Sequence, residues 1–336
     1  MPEQIEGKAA ELFLHVPVML EEVQGLAAKI QPLSLYIDCT LGAGGHAEAL
    51  LSMYPDLRCV GIDADPDACE RAFGRLSRFA ERLSIINAYY DDALADLCVR
   101  SSAGKVLGAN LSDLCNSSHA PRASFILFDL GLSSYQLGAS GRGFSYSADE
   151  PLDMRFSPDA PASAEELIHQ LSEAKLADLI YAYGEERYSR RIAHAIVAAR
   201  KKESIHSAAR LASIIADAVP AQYRHGRIHP ATRTFQALRI AVNDELGRIE
   251  RALASALELL APGGICAVIS FHSLEDRIVK HFFAEKAKTG RFSLEWKKPR
   301  GPSLEEIKAN PPSRSAKFRA IRAVAMRSEQ AQGASA

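Results

Sequence analysis

Short apolar runs alternate with helical stretches over the first 135 residues of the chain. The runs that predict strands lie at 35–39, 58–63, 83–88 and 124–129, and helices are predicted at 46–54 and 66–79. Each predicted strand is apolar along nearly its whole length rather than at every second position. Strands of this kind are buried on both faces, and their alternation with helices is typical of a parallel sheet covered by helices. We therefore predict a doubly wound, Rossmann-like α/β fold.

The pattern becomes purely helical after residue 141. A capping-box sequence at Ser163 opens a helix whose apolar positions continue to Ile180, and residues 190–202 and 207–219 show the periodicity of two more helices. A single long helix is predicted from Pro230 to about residue 261. A strand at 264–271, a helix at 274–286 and a terminal strand pair at 292–296 and 318–325 follow. The prediction is a sheet domain of residues 1–140 and 230–336, interrupted by an all-helical insert at 141–229, with residues 101–121 as an exposed connection.

Composition excludes several classes of protein. The 336 residues are 47% hydrophobic and 24% charged, as in a globular domain, and unlike a disordered chain or a collagen. The six cysteines are scattered without a C-x-x-C pair, which argues against a zinc site or a disulfide framework, so we expect no metal. No apolar run is long enough to cross a bilayer and no leader pattern opens the chain, so we expect a cytoplasmic protein without a membrane partner.

Charge is distributed unevenly along the chain. The net charge is only −1, but residues 187–239 contain eleven Lys and Arg against two acids, and residues 297–327 contain nine against two. Two basic blocks in a protein of nearly zero net charge fit a positively charged surface on one side of the protein that binds phosphates. They fit ordinary solvated helix faces equally well, because clustering in sequence need not mean clustering in space.

A glycine-rich turn follows the first predicted strand. Gly42, Gly44 and Gly45 let a ligand approach backbone N–H groups at the start of a helix, and Asp63 at the end of the second strand is placed to accept the hydroxyls of a ribose. The spacing from Gly42 to Ala47 also fits an NAD fingerprint. The Pro-Gly-Gly turn at 262–264 and the terminal strand pair favour S-adenosylmethionine, but both cofactors stay open on these grounds.

Several long motifs give the chain a resemblance to one family, the bacterial small-subunit ribosomal RNA cytosine-N4-methyltransferases (methyltransferase H). The motifs are HVPVMLEE (15–22), TLGAGGH (40–46), FDLGLSSYQL (128–137), RGFS (142–145), PLDMR (151–155), YGEER (183–187), HPATRTFQALR (229–239), VNDEL (242–246) and ISFHSLEDR (269–277). The family usually has Pro where this chain has Tyr135, and the 101–121 connection is longer than usual.

The resemblance implies a class I S-adenosylmethionine-dependent methyltransferase that modifies N4 of a cytidine of 16S rRNA, in the decoding (P-site) region of the 30S subunit. It implies a set of cofactor contacts: Gly44, Gly45, His46, Asp63 for the ribose, Tyr90 against the adenine, and Asp129 and Gln136 near the methionine end. The oligomeric state stays open between monomer and homodimer.

The chemistry needs an acceptor for a proton of the cytosine amine. Asp129, at the end of the fourth predicted strand, is the candidate, through its carboxylate or the carbonyls of the turn after it, although a role in cofactor binding alone is the alternative. Tyr135, Phe144 and Tyr146 are placed either to hold a flipped base or simply to pack.

On the long helix Arg233, Gln236, Arg239 and Asn243 form one polar face. We expect that face, with Arg142 and Arg155, to contact RNA phosphates. The competing functions are an NAD-dependent oxidoreductase and a non-catalytic RNA-binding ribosome-assembly factor.

Overall fold

The computed structural model describes residues 17–99, 105–108, 122–226 and 228–325. Within these ranges the contacts divide the chain into two units. Residues 132–247 form one, which we call the helical unit, and residues 17–131 with 248–325 form the other, which we call the sheet unit. Among the described residues, no helix combines the length and the apolar character that crossing a bilayer requires.

The sheet unit contains one sheet with strands in the order β4-β3-β2-β1-β5-β6-β8-β7. The strands are β1 (Leu35–Asp38), β2 (Arg58–Asp63), β3 (Leu83–Asn87), β4 (Lys105–Gly108), β5 (Ala123–Asp129), β6 (Leu260–Ser270), β7 (Phe292–Leu294) and β8 (Lys317–Ala323). Neighbours from β3 through β6 pair in parallel, whereas β4 and β8 are antiparallel to their neighbours. Strand order reverses between β1 and β5, the place where such sheets bind ligands. The predicted doubly wound fold is confirmed.

Helices connect these strands. They are α1 (Leu20–Ala27), α2 (Gly45–Met53), α3 (Pro66–Arg75), α4 (Tyr90–Val99), α12 (Glu245–Leu259, which begins in the helical unit), α13 (Ser273–Lys288) and α14 (Leu304–Ala309). Helix α3 begins because the Asp65 carboxylate accepts the Asp67 N–H and Pro66 occupies the first turn. Tyr36, Leu50 and Phe125 are among the buried side chains of the core between the sheet and these helices.

The predicted exposed connection at 101–121 is wrong in one part. Residues Lys105–Gly108 form β4, which pairs antiparallel with β3 from Ser84 to Asn87. Four residues are too few to show a strand pattern in the sequence. The strand forms because it pairs with its one neighbour, β3, at the edge of the sheet. Residues 101–104 and 109–121 lie outside the described residues.

The helical unit has its own hydrophobic core. Its helices are α5 (Ser134–Gly138), α6 (Ala164–Gln170), α7 (Glu173–Gly184), α8 (Ser189–Arg200), α9 (Ala208–Ala218), α10 (Ala221–Arg224) and α11 (Thr232–Asn243). Ile168, Ile180, Ile196, Leu211 and Leu238 are buried together in this core. The predicted capping box at Ser163 is present, with the Ser163 and Glu166 side chains each bonded to the other residue's backbone N–H.

Two predicted helices are each divided in two. Ser172 accepts the Lys175 N–H and starts α7 as a new helix, so the helix predicted to continue from Ser163 to Ile180 is wrong. The long helix predicted from Pro230 to residue 261 is also wrong, because Asp244 takes a left-handed conformation (φ 49°) between α11 and α12. Apolar residues continue on both sides of each break, and periodicity alone therefore shows one helix.

Helix α11 belongs to the helical unit rather than to the sheet unit. Phe235, Leu238 and Val242 lie in the core of the helical unit. A Cβ atom at Gly184 of α7 would lie 2.5 Å from the Arg233 carbonyl oxygen, so the two helices approach closely. The observed boundaries at residues 132 and 247 thus enclose α11, which the boundary expected at 229 leaves out.

Candidate active site

The glycine turn after β1 adopts a shape that only glycine accepts easily. Gly42 and Gly44 have φ of 53° and 79°, and the Gly44 N–H donates to the Leu41 carbonyl at 2.7 Å. A Cβ atom at Gly45 would lie 2.5 Å from Cγ of Pro17. Helix α2 starts at Gly45 without a side-chain cap. Its N-terminus therefore offers backbone N–H groups and a partial positive charge to a ligand.

Asp63 joins the end of β2 to this turn. Its Oδ2 accepts the Gly42 N–H at 2.8 Å, and its Oδ1 accepts the Asp65 N–H at 2.9 Å. Removal from water raises the pKa of Asp63 to about 6 despite these bonds, which act in the opposite sense. Each carboxylate oxygen has a second lone pair for a hydroxyl donor. The carboxylate thus combines a fixed position with capacity for a diol.

Asp129 ends β5 next to β1, and His46 faces it from α2. Asp129 Oδ2 lies 3.5 Å from His46 Nε2, with side-chain exposures of 14% and 6%. Asp129 Oδ1 and both ring nitrogens of His46 are buried without a hydrogen-bond partner among the described residues. Buried polar atoms are nearly always bonded in proteins. Three such atoms beside a glycine turn indicate the place of a polar ligand.

The sequence analysis missed Asp38 and Thr40, which build the wall of this site. Asp38 is buried at the end of β1, where its carboxylate accepts the Tyr36 hydroxyl at 2.8 Å and burial raises its pKa to about 6. Thr40 Oγ1 accepts the Asp129 N–H at 2.7 Å, which ties the glycine turn to β5. The rule that selected Asp63, an acid at the carboxyl end of a parallel strand, applies equally to Asp38.

The two tyrosines after β3 have different surroundings. The Tyr90 ring meets Phe128 of β5 edge to face, with centroids 5.6 Å apart. The Tyr89 ring lies under the Arg248 guanidinium, 3.5 Å from its central carbon. Of the two tyrosines, Tyr90 contacts Phe128, which directly precedes Asp129. Tyr90 is also the tyrosine expected to contact the adenine. That role stays a prediction.

Gln136 belongs to the helical unit, in α5. Its side-chain Oε1 accepts the Ser133 backbone N–H at 3.0 Å, and the Gln136 backbone N–H donates to Ser133 Oγ at 3.2 Å. This capping box starts α5 and fixes the Gln136 side chain. Its predicted contact with the methionine end of the cofactor stays a prediction.

Comparison with known proteins decides the family. The model of the MraW methylase family matches residues 12–324. The ribosomal RNA small subunit methyltransferase H of Treponema denticola is 44% identical over 326 residues, covering 93% of this chain and 98% of that protein. That of Dehalococcoides mccartyi is 47% identical and covers 91% and 85%.

The chain belongs to the MraW methylase family. It is an S-adenosylmethionine-dependent methyltransferase, so the predicted enzyme class and cofactor are confirmed, and the match supports neither the oxidoreductase nor the non-catalytic factor. Among solved structures, an rRNA methylase from Streptococcus thermophilus superposes with a TM-score of 0.40 at 10% identity, covering 92% of this chain and 98% of that one.

The site of this methyltransferase fits its cofactor. S-adenosylmethionine carries a ribose diol and a charged amino-acid end. Asp63 offers acceptors for the diol, and the uncapped start of α2 with the unpartnered atoms of His46 and Asp129 offers polar groups to the charged end. The assignment of each contact to one residue stays a prediction.

Two of the predicted RNA contacts hold the loop before α6. Arg142 Nη1 donates to the Phe156 carbonyl at 3.1 Å. Arg155 forms a two-pronged ion pair with Asp153, with both N–O distances at 2.8 Å, and the pair lowers the pKa of Asp153 against the opposing effect of burial. These contacts order the loop, and a further contact with RNA stays a prediction.

The polar face predicted on α11 also makes contacts within the helical unit. Arg239 forms a two-pronged pair with Glu245 at 2.7 and 2.8 Å, and Asn243 is 2% exposed. Gln236 donates to the Tyr183 carbonyl at 3.0 Å and Arg233 to the Glu185 carbonyl at 3.3 Å. Helix α11 is buried around most of its circumference because it packs against α7, so these polar groups meet protein partners. Their contact with RNA stays a prediction.

Two of the aromatic candidates stack on other rings, and His272 has a structural contact. Phe144 stacks on Phe156, and Tyr146 stacks on His229 with ring centroids 4.4 Å apart. His272 caps α13, accepting the Glu275 N–H at 3.4 Å, while the Glu275 carboxylate accepts the Phe271 N–H. Phe144 and Tyr146 thus have packing partners within the protein, and contact with a flipped base stays a prediction.

Proposed function

We propose that this methyltransferase modifies N4 of a cytidine in the P-site region of 16S rRNA, within the small ribosomal subunit. The observation that carries the proposal is the 44% identity, over nearly the whole length of both proteins, to a methyltransferase of small-subunit ribosomal RNA. The basic block of residues 187–239 fits such a target.

Asp129 is the proposed proton acceptor. The cofactor supplies an electrophilic methyl group on a sulfonium. As the N4–methyl bond forms and the sulfur–methyl bond breaks, N4 must lose one proton, and a carboxylate oxygen aimed at the amine receives it. Oδ1 of Asp129 is suited to this because it is buried and has no hydrogen-bond partner among the described residues.

The test incubates the protein with methyl-labelled S-adenosylmethionine and with naked 16S rRNA, 30S subunits or neither. We expect label in N4-methylcytidine, located by mass spectrometry of nuclease fragments, with 30S subunits as the better substrate because a folded RNA surface is recognised by its shape. Label that appears in another nucleoside, or in protein alone, contradicts the proposal. Recovery of the enzyme with 30S subunits in the cytoplasmic fraction tests its proposed partner and location.

The variant Asp129→Asn tests the acceptor. Asn keeps the size and polarity of Asp but takes no proton, so we expect the methyl-transfer rate to fall at least about 100-fold. Adenosylhomocysteine binding, measured by titration calorimetry, should change far less. If binding weakens as much as the rate falls, Asp129 acts in cofactor binding alone.

A further inference from the structure

In the helical unit a guanidinium group lies over a pair of tyrosine rings. The central carbon of Arg187 is 4.8 Å from the centre of the Tyr188 ring and 5.1 Å from that of Tyr223. These rings meet at 72°, with centroids 4.9 Å apart. Arg187 itself is exposed, and within the described ranges it forms no ion pair with a carboxylate. A guanidinium held on aromatic faces keeps its N–H groups for another partner.

Glu186 fixes the two rings in place. Its carboxylate is fully buried and accepts the Tyr188 N–H at 2.8 Å and the hydroxyl of Tyr223. Partial burial, together with the Glu186 carboxylate, raises the pKa of Tyr223, so its hydroxyl keeps the proton that it donates to Glu186. The support under Arg187 is thus built from a buried polar network rather than from mobile surface side chains.

The charges around this platform favour an anionic partner. The positive charges of Arg187 and Arg233 both act on Tyr223, lowering its pKa against the larger effects of burial and Glu186. By contrast, Arg190 is paired with Asp178 at 2.7 Å and Arg224 lies 3.6 Å from Asp217. The acids next to Arg187 are Glu186, which is buried and bonded, and the exposed Glu185. Arg187 also opens the block of eleven basic residues against two acids.

We propose that Arg187, supported by Tyr188 and Tyr223 with Arg233 nearby, binds a phosphate of the substrate RNA. A guanidinium matches the two oxygens of a phosphate with paired N–H groups, and aromatic support fixes its orientation before binding. This inference rests on the proposed function, since it takes the partner to be RNA. It differs from the contacts expected from sequence at 142, 155 and 239, which the structure shows bonded within the helical unit.

The test measures the affinity of the full chain for 30S subunits and for free 16S rRNA at several KCl concentrations. Arg187→Ala should weaken binding about fivefold or more and reduce the slope of log K against log salt by about 0.7 to 1, the value of one phosphate contact. Arg187→Lys should keep the slope, because the charge stays, but should recover only part of the affinity. Arg190→Ala is the matched control: Arg190 lies three residues further along the chain, in the first turn of α8, and is already paired with Asp178, so this variant should bind like the wild type.

The outcomes separate this inference from the proposed function. All variants should bind adenosylhomocysteine and unfold thermally like the wild type, which shows that the fold is intact. If the wild type methylates 16S rRNA and Arg187→Ala retains the wild-type affinity and slope, only the role of Arg187 is overturned. If the wild type neither binds nor methylates the RNA, the proposed function fails as well. If Arg187→Ala weakens binding to 30S subunits with an unchanged slope but binds free 16S rRNA like the wild type, the platform contacts a protein of the subunit and the phosphate contact is overturned.

Discussion

The carboxyl group of Asp63 lies where water stabilises its charge poorly. Two backbone N–H groups hold it, yet desolvation raises its pKa from 3.8 to about 6. A folded-state pKa above the unfolded value means that the folded protein favours the protonated form. This group therefore favours folding most below about pH 4, and that contribution is lost as the pH rises through 6. The ionised carboxylate is the better acceptor of hydrogen bonds from hydroxyl groups. Ligand binding should therefore strengthen as the pH rises, whereas the contribution to folding weakens.

We expect adenosylhomocysteine affinity to fall as the pH is lowered below 6, by at most about tenfold per pH unit. Titration calorimetry between pH 5 and 7.5 measures it. Asp63→Asn should bind more weakly at pH 7.5 and lose this dependence, because an amide does not titrate. Asp38 also has a pKa of about 6 and is the necessary comparison. A slope that persists in Asp63→Asn but disappears in Asp38→Asn would assign the titration to Asp38.

Single residues of the site were predictable where backbone geometry determines them. Gly44 and Asp63 stand where parallel strands end beside one another, and this follows from the alternating pattern of strands and helices. Asn243 was not predictable in the same way. Its spacing from Arg239 marks a polar face of a helix, but the sequence does not show whether a polar group faces solvent or a backbone carbonyl.

At the scale of elements, α11 is held by Asn243. Its Oδ1 accepts the Phe156 N–H at 2.8 Å, and its Nδ2 donates to the Met154 carbonyl at 2.8 Å and the Arg239 carbonyl at 3.0 Å. Met154 is itself buried, with a positive φ of 61°. One side chain thus joins the end of α11 to a loop that cannot satisfy its own backbone groups.

Asn243→Ala should therefore destabilise the protein by about 2–4 kcal/mol, since it leaves buried backbone groups without partners. Urea unfolding followed by circular dichroism measures this loss. Gln236→Ala on the same helix removes one bond of a half-exposed side chain and should cost about 1 kcal/mol or less. An Asn243→Ala protein with unchanged stability and weaker RNA binding would instead support the role expected from the sequence.

The breaks between elements were the hardest features to predict. Strand β2 begins and ends where the pattern predicts, because apolar residues fill its interior and the polar residues Arg58 and Asp63 form its ends. No glycine or proline marks the break at Asp244, and apolar positions recur at helical spacing before and after it. A left-handed Asp depends on the packing of the helices on either side, and local pattern carries little of that information.

At the scale of the whole molecule, the two units were predictable but their boundary was not. Residues 141–229 show helical patterns with no predicted strand, so they cannot extend the sheet, and this predicts a helical unit separate from the sheet unit. The boundary depends on which of the two cores α11 packs into, and the apolar stripe of α11 is compatible with either core. Phe235 and Leu238 lie in the core of the helical unit, so the boundary falls at residue 247, eighteen residues later than residue 229.

Net charge gives a final prediction for the whole molecule. The total is −1, so long-range attraction to RNA is weak, and binding must come from local basic groups such as those between 187 and 239. Local contacts release counterions whatever the total charge. The affinity for 30S subunits should therefore fall steeply between 50 and 200 mM KCl, by about tenfold or more if three or four phosphates are contacted.

Adenosylhomocysteine is a small zwitterion, and its affinity over the same range should stay nearly constant. Filter binding and calorimetry on one preparation measure both. A 30S affinity as insensitive to salt as that for adenosylhomocysteine would mean that the basic block is an ordinary solvated surface, and that the RNA is recognised through neutral contacts.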